Sequence, residues 1–300
     1  MKYYYHDIFP IPLPDGHRFP EDKYRLLRLR LLADGIVTPD ELFISEPASN
    51  EQVLLIHEKA YLEHIIAGTL STAELRRLGL PWSTQLVQRA LHSVGSTIQA
   101  CRAAFEEGIG INLGGGTHHA HAGHGAGYCV FNDVAIAARL MQQEGRASHV
   151  IILDCDVHQG DGTAAIFAGD TSVFTFSIHG EKNFPFHKVD SDLDIPLPDG
   201  TSDQKYLQAL QEGLNQVFTS KETELAFYLA GADPYQGDRL GRLALSKAGL
   251  AERDQLVLEA CKKSGVPICL VLAGGYARQI EDIVDIHTAT VRIAKKTFEG

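Results

Sequence analysis

Residues 150–162 read Val150-Ile151-Ile152-Leu153-Asp154-Cys155-Asp156-Val157-His158-Gln159-Gly160-Asp161-Gly162. The first four are apolar, the composition of a strand buried on both faces of a parallel sheet. Asp154, Asp156 and His158 then alternate with Cys155 and Val157. If the chain stays extended, these three side chains leave on one face. Two carboxylates and an imidazole would meet where the strand ends. A third carboxylate, Asp161, sits in the Gly160-Asp161-Gly162 turn. Burying that much charge without a partner is very costly, so a cation is the natural compensation. The plainer alternative is a capped, hydrogen-bonded strand end.

Outward from this stretch, apolar segments alternate with helical periodicities. Upstream, a short strand begins near Tyr3 and a loop runs to Pro20. Glu21–Ala33 reads as a helix with Tyr24, Leu27 and Leu31 on one face and Arg25, Arg28 and Arg30 on a solvated one. Glu51–Ala67 reads as a second helix. Ser83 is a plausible N-cap for a long helix with Val87, Leu91, Val94, Ile98, Cys101 and Phe105 in one core stripe. Ile109–Leu113 is a short apolar segment, and Asp133–Glu144 is helical. Downstream, Ser172–Ile178 reads as a strand, Asp190–Gly200 as a loop and Ser202–Val217 as a helix. Leu225–Ala230 and Ile268–Ala273 read as strands, with helices at 250–263 and Glu281–Lys296. This alternation predicts a parallel sheet covered on both faces by helices. No repeat or linker divides the chain, so residues 1–300 are expected to form a single domain.

The totals agree. The 300 residues are 44% hydrophobic, enough for one large core. No apolar run reaches the roughly 18 residues of a membrane span. The N-terminus lacks the pattern of a secretory signal, so a cytoplasmic protein is expected. Cys101, Cys129, Cys155, Cys261 and Cys269 form no CxxC pair, which points to buried thiols in a reducing compartment. A formal net charge of −11 without a basic block argues against direct binding to nucleic acid or an anionic membrane.

In open α/β sheets, ligands bind beyond the carboxyl ends of the strands. Four predicted strands end there in polar residues: His118-His119, Asp154 to Asp161, Asp233 and Tyr276. Asp156, His158 and Asp233 make a plausible three-ligand site with a position left open, as in catalytic zinc. The mixed donor set would also accept iron or cobalt. His118 and His119 suit flanking a metal-bound water, with Asp154 and Asp161 left over, one for each imidazole. The alternative is a His-rich loop, His118 to His124, that scavenges metal nonspecifically. His121 and His124 have no assigned role. Tyr276 could donate to a developing oxyanion, or simply pack.

Taken in order, Gly115-Gly116-Thr117-His118-His119-Ala120, Leu153 to Gly162, Ala230-Gly231-Ala232-Asp233 and Ala273-Gly274-Gly275-Tyr276 resemble the zinc-dependent histone deacetylase family. The likeness runs from about Tyr24 to the last helix. Details such as INLGGGTHHA and GDRLGRLALSKAG look closest to its class IV branch and bacterial relatives.

The resemblance implies a three-layer α/β/α fold around an eight-stranded parallel sheet, the arginase/deacetylase fold. It implies zinc on Asp156, His158 and Asp233. His119 would be general base and acid, with His118 its electrostatic partner. Asp154 would support His118, Asp161 would support His119, and Tyr276 would polarise the amide carbonyl. A structural potassium would use the side chains of Asp154 and Ser177 and carbonyls of Asp154, Asp156, His158 and Ile178. A second potassium would sit near Phe167. Gly127, Tyr128 and Phe184 match the channel that grips the acyl-lysine stem.

The implied activity is hydrolysis of acyl groups, acetyl or longer, from lysine side chains or related amines. Family members acting on acetylpolyamines or acetoin share these motifs, so an acetylpolyamine or other small-molecule deacetylase is the alternative. A catalytically dead acyl-lysine reader is a third reading. The two-manganese arginase pattern is disfavoured, because Gly160 and Tyr235 stand where its extra aspartates belong.

Overall fold

The computed structural model describes residues 1–219 and 222–299. Strand β1 (Lys2–Tyr5) leads through a loop to α1 (Asp22–Ala33) and β2 (Leu42–Ile44). Helices α2 (Asn50–Val53), α3 (Lys59–Ala67), α4 (Thr72–Leu78) and the long α5 (Thr84–Glu107) follow. The middle of the chain holds β3 (Ile109–Asn112), α6 (Asp133–Gln143), β4 (Val150–Asp154), α7 (Asp161–Phe167) and β5 (Val173–Gly180). Then come β6 (Leu193–Leu197), α8 (Asp203–Val217), β7 (Leu225–Leu229), α9 (Lys247–Ser264), β8 (Ile268–Val271) and α10 (Ile280–Glu299).

The strands form one eight-stranded sheet in the order β2-β1-β3-β8-β7-β4-β5-β6, and every neighbouring pair is parallel. This is the expected α/β architecture. All five residues of β4 are buried between β7 and β5. Alternation divides them: Ile151 and Leu153 enter one core with α1, α8, α9 and α10. Val150 and Ile152 enter the other with α3, α5 and α6. A strand feeding two cores must be apolar on both faces, as the opening four residues of the motif are.

Three expectations need correction. Asp190–Gly200 is not all loop, because β6 runs through it. Strand β2 was not foreseen either. These two strands are the edges of the sheet. Half-exposed edges need no apolar alternation, and an edge tolerates Pro196, which cannot donate to the ladder. The helix expected over Glu51–Ala67 is two helices, α2 and α3. Its break is tied to the His-rich loop: Glu58 N–H donates to Ala122 O at 2.9 Å. Helices α4 and α7 also went unread. Elsewhere, local signals hold. Ser83 caps α5 by accepting from Leu86 N–H at 3.0 Å. All five cysteines are buried and free.

Candidate metal centre and active site

The chain does not stay extended after β4. Asp154 Oδ1 accepts from Asp156 N–H at 3.0 Å, and Asp156 Oδ1 accepts from His158 N–H at 3.0 Å. Each carboxylate thus turns the backbone that follows it, an aspartate's usual local bond. The acids are gathered by their own side chains rather than by continued strand alternation. Asp233, in the turn after β7, receives Val157 N–H on Oδ1 at 2.9 Å.

Asp156, His158 and Asp233 therefore meet, each offering one donor atom within 4.8 Å of the others, and all three are buried. Gly274 closes the cluster by donating its N–H to Asp156 Oδ2 at 2.8 Å. A Cβ on Gly274 would lie 2.0 Å from Asp233 Oδ2, so only glycine brings the backbone this near.

The electrostatics show a shortage of positive charge. Asp233 Oδ2 is buried without a hydrogen bond, and it shares His158 Nδ1, 3.3 Å away, with Asp156 Oδ1. Burial, and then the charge of Asp156, push the Asp233 carboxyl up to about 7. Burial also opposes ionisation of Asp156, but His118 and His158 hold it below the usual carboxylate range. Burial likewise disfavours a charged His158, yet Asp156 and Asp233 raise it to about 10. One imidazole is being asked to compensate two carboxylates. A divalent cation on the orphaned oxygen and its two neighbours resolves that demand, and two carboxylates plus an imidazole are a zinc-type donor set.

Two imidazole–carboxylate pairs flank this triad. His118 Nδ1 lies 2.6 Å from Asp154 Oδ2, and His119 Nδ1 lies 2.6 Å from Asp161 Oδ1. The pairs differ in proton affinity. Burial opposes protonation of His118, but Asp154 and Asp156 raise it to about 9. For His119, burial and the neighbouring His118 outweigh Asp161 and lower it to about 4. A neutral imidazole beside a charged one is an acceptor with an electrostatic partner. The Tyr276 ring meets His158 edge-on, centroids 6.3 Å apart.

Gly127, Tyr128 and Phe184, expected to line a channel, border one pocket with His119, His158 and Tyr276. Phe184 packs edge-on against His119 at 4.8 Å, and Tyr128 lies 5.8 Å from Tyr276. Tyr128 holds a φ of 68°, sparsely populated for a bulky residue. Its N–H is anchored to Leu78 O at 2.8 Å. A cavity lined by Asp156, His158 and Tyr276 also takes in Lys23, Tyr24 and Arg89, with apolar walls from Ile11, Leu86 and Phe131. Asp154 and Ser177, expected together at potassium, are register partners across β4 and β5. Phe167 ends α7.

Several supporting residues escaped the sequence reading. His121 Nε2 lies 3.1 Å from Asp161 Oδ2, so one carboxylate serves two imidazoles, and His124 stacks on His121 at 4.5 Å. His57 braces this loop. Its Nε2 accepts from Asn132 N–H at 2.9 Å, so its Nδ1–H donates to Ala122 O at 3.2 Å. Asp133 stands at a predicted helix start. It is fully buried and accepts from Gly116 N–H at 3.1 Å and Thr117 N–H at 2.8 Å, holding the loop that carries His118. Asp238 accepts Tyr276 N–H at 2.6 Å. Arg253 spans the ends of β4 and β7 by donating to Cys155 O and Gly231 O at 3.2 and 2.6 Å. Of these, His121 and His124 lie in the His-rich loop and Asp238 in GDRLGRLALSKAG, whereas His57, Asp133 and Arg253 stand in no motif singled out from the sequence.

Comparison with known proteins agrees with this geometry. The chain is 46% identical over 294 residues to an uncharacterized protein of Picosynechococcus sp., covering 98% of each. It is 30% identical to histone deacetylase 2 of Arabidopsis thaliana, covering 93% of this chain and 76% of that protein. The crystal structure of an HDAC homolog from Aquifex aeolicus superposes with a TM-score of 0.82 at 22% identity, covering all of this chain and 88% of the other. The family model for the histone deacetylase domain matches residues 17–291, so the chain belongs to the histone deacetylase family.

Proposed function

We propose that the protein hydrolyses the amide bond of an acylated lysine side chain or related amine, giving a free amine and a carboxylate. One observation carries this reading. A buried two-carboxylate, one-imidazole triad, one of whose carboxylate oxygens has no hydrogen bond, is flanked by two histidines, each on its own aspartate. A divalent ion held by Asp156, His158 and Asp233 (zinc, or iron or cobalt) would polarise the acyl carbonyl and lower the pKa of a water towards about 7.

The chain's own groups move the protons. Asp161 engages His119 at Nδ1, which leaves Nε2 to take a proton from the attacking water and return it to the leaving nitrogen. His118, held charged by Asp154, stabilises the negative charge that builds up. The phenol of Tyr276 donates to the carbonyl oxygen, while Gly127, Tyr128 and Phe184 orient the stem of the substrate. Asp154 and Ser177, with the carbonyls of Asp154, Asp156, His158 and Ile178, would hold a structural potassium. A second potassium near Phe167 belongs to the same proposal.

The cavity lined by Asp156, His158 and Tyr276 supports acyl groups longer than acetyl, the direction in which a class IV affinity also points. A small-molecule amide such as an acetylpolyamine is the second reading, and an inactive acyl-lysine reader the third. The test is a panel of lysine peptides and polyamines bearing acetyl to myristoyl groups, assayed with added zinc, iron or cobalt. Metal-dependent release of free lysine side chains is expected. Turnover of polyamines alone would move the assignment to the second reading. Binding of acyl-lysine with no turnover under any metal would leave a reader.

A further inference from the structure

The outer mouth of the channel is lined by Arg18, Arg76, Arg77, Lys182, Arg239 and Arg242. All six are exposed. Among the described residues, no aspartate or glutamate lines that mouth. The chain as a whole carries a formal −11, so this rim reverses the sign of the molecule at the place where substrate enters.

The cations come from distant segments: the loop before α1, the last turn of α4, the loop after β5 and the loop between β7 and α9. Favourable placement at a helix C-terminus accounts for Arg76 and Arg77, but not for the others. Arg239 donates to Tyr276 O at 2.9 Å and to Arg18 O at 3.2 Å, so it brings Arg18 to the rim. Only Arg242 has an ion-pair partner among the described residues, Asp199 at 3.2 Å. Glu74 feels the charge of Arg77 but forms no ion pair with it and is hydrogen-bonded to Ser71. Unneutralised like charges around a concave entrance raise the local concentration of anions and repel cations. Phe186, 80% exposed, stands 6.2 Å from Phe184 and offers an apolar contact beside the charges. Spread charges plus an apolar contact fit a chain segment better than a compact anion.

We propose that the preferred substrate is an acyl-lysine within an acidic peptide segment, whose carboxylates meet this rim while the acylated side chain enters between Tyr128 and Phe184. The same rim disfavours a cationic polyamine or a lysine- and arginine-rich tail. For turnover, this inference rests on the amidohydrolase reading; for binding it does not.

Three acetyl-lysine peptides of equal length, with acidic, neutral or basic flanks, and an acetylpolyamine would be assayed with the zinc-loaded protein at low and high salt. The acidic peptide is expected to exceed the basic one by about 10- to 100-fold in kcat/KM at low salt, through KM, with the gap shrinking as salt screens it. Arg76→Glu/Arg77→Glu should narrow or reverse the order, and Arg76→Gln/Arg77→Gln should narrow it less. Fluorescence anisotropy with the His119→Ala variant reads binding of the same peptides without turnover. Tightest binding of the acidic peptide, with no hydrolysis by the wild type of this peptide or of its long-acyl counterparts under any of the three metals, would sink the amidohydrolase reading and leave this inference standing. Equal binding of all three peptides, or preference for the basic one, overturns it whatever the turnover.

Discussion

Tyr276 and Asp233 have different proposed roles, and substitution separates them. Tyr276 is nearly buried, and its backbone is held by Asp238 and Arg239 rather than by its hydroxyl. Tyr276→Phe should therefore keep the fold and bind metal normally while losing about 10²–10³ in kcat, the usual cost of one oxyanion donor. Near-normal turnover in that variant removes Tyr276 from the chemistry. Asp233→Ala deletes the orphaned oxygen and one carboxylate of the triad. Metal content of the purified variant, read by plasma emission, should fall well below one ion per chain. A fully loaded variant would refute the ligand assignment. His121 shows what residue-level reading misses, because its partner, Asp161, is forty positions away.

At the scale of elements, the loops that carry the candidate site are held by buried carboxylates at turns and helix starts. Asp133 opens α6 and binds the Gly116–Thr117 backbone and the Thr97 hydroxyl, the last at 2.6 Å. Asp133→Ala leaves these donors buried and unmatched, and a loss of about 3 kcal/mol is expected in urea unfolding. A loss below 0.5 kcal/mol would mean that water replaces the carboxylate readily. The turn between α7 and β5 gives a pH dependence. Partial burial works against ionisation of Asp170, but Ser172 and Arg139 hold it down to about 2, against an ordinary 3.8. The folded state therefore binds this proton less readily than the unfolded chain. Its contribution is full above about pH 4 and fades as pH falls through about 2. Asp170→Asn should flatten the acid limb of stability over that interval, and an unchanged limb would show the contacts to be worth nothing.

Local patterns were readable where one element decided them. The two-sided apolar run of β4, the capped α5 and the glycine-flanked strand ends all speak through neighbours in sequence. Strands β2 and β6 were silent because edges carry no buried alternation. The split between α2 and α3 was silent because a bond to Ala122, from another part of the chain, makes it.

For the whole molecule, the triad links metal to stability. An ion that binds only the folded chain stabilises it by about 2.7 kcal/mol at a hundredfold excess over its dissociation constant. Chelation should lower the melting temperature by about 5 °C, since each kcal/mol moves a chain of this size by a few degrees. Asp233→Ala should melt at the same temperature with and without chelator. A wild-type melting curve indifferent to metal would argue against tight occupancy of the triad.

The amino-acid sequence alone determined the α/β class, the central strand and the candidate residues of the triad and histidine pairs, because each of those residues stands in a short local motif at a predicted strand end. The tertiary structure alone decided that Asp233 reaches Asp156, that Asp161 is shared with His121, and that a chain of net charge −11 carries a cationic entrance. Those properties belong to side chains distant in sequence. Only packing the helices on both faces of the sheet brings them close enough for a 1/r interaction to matter.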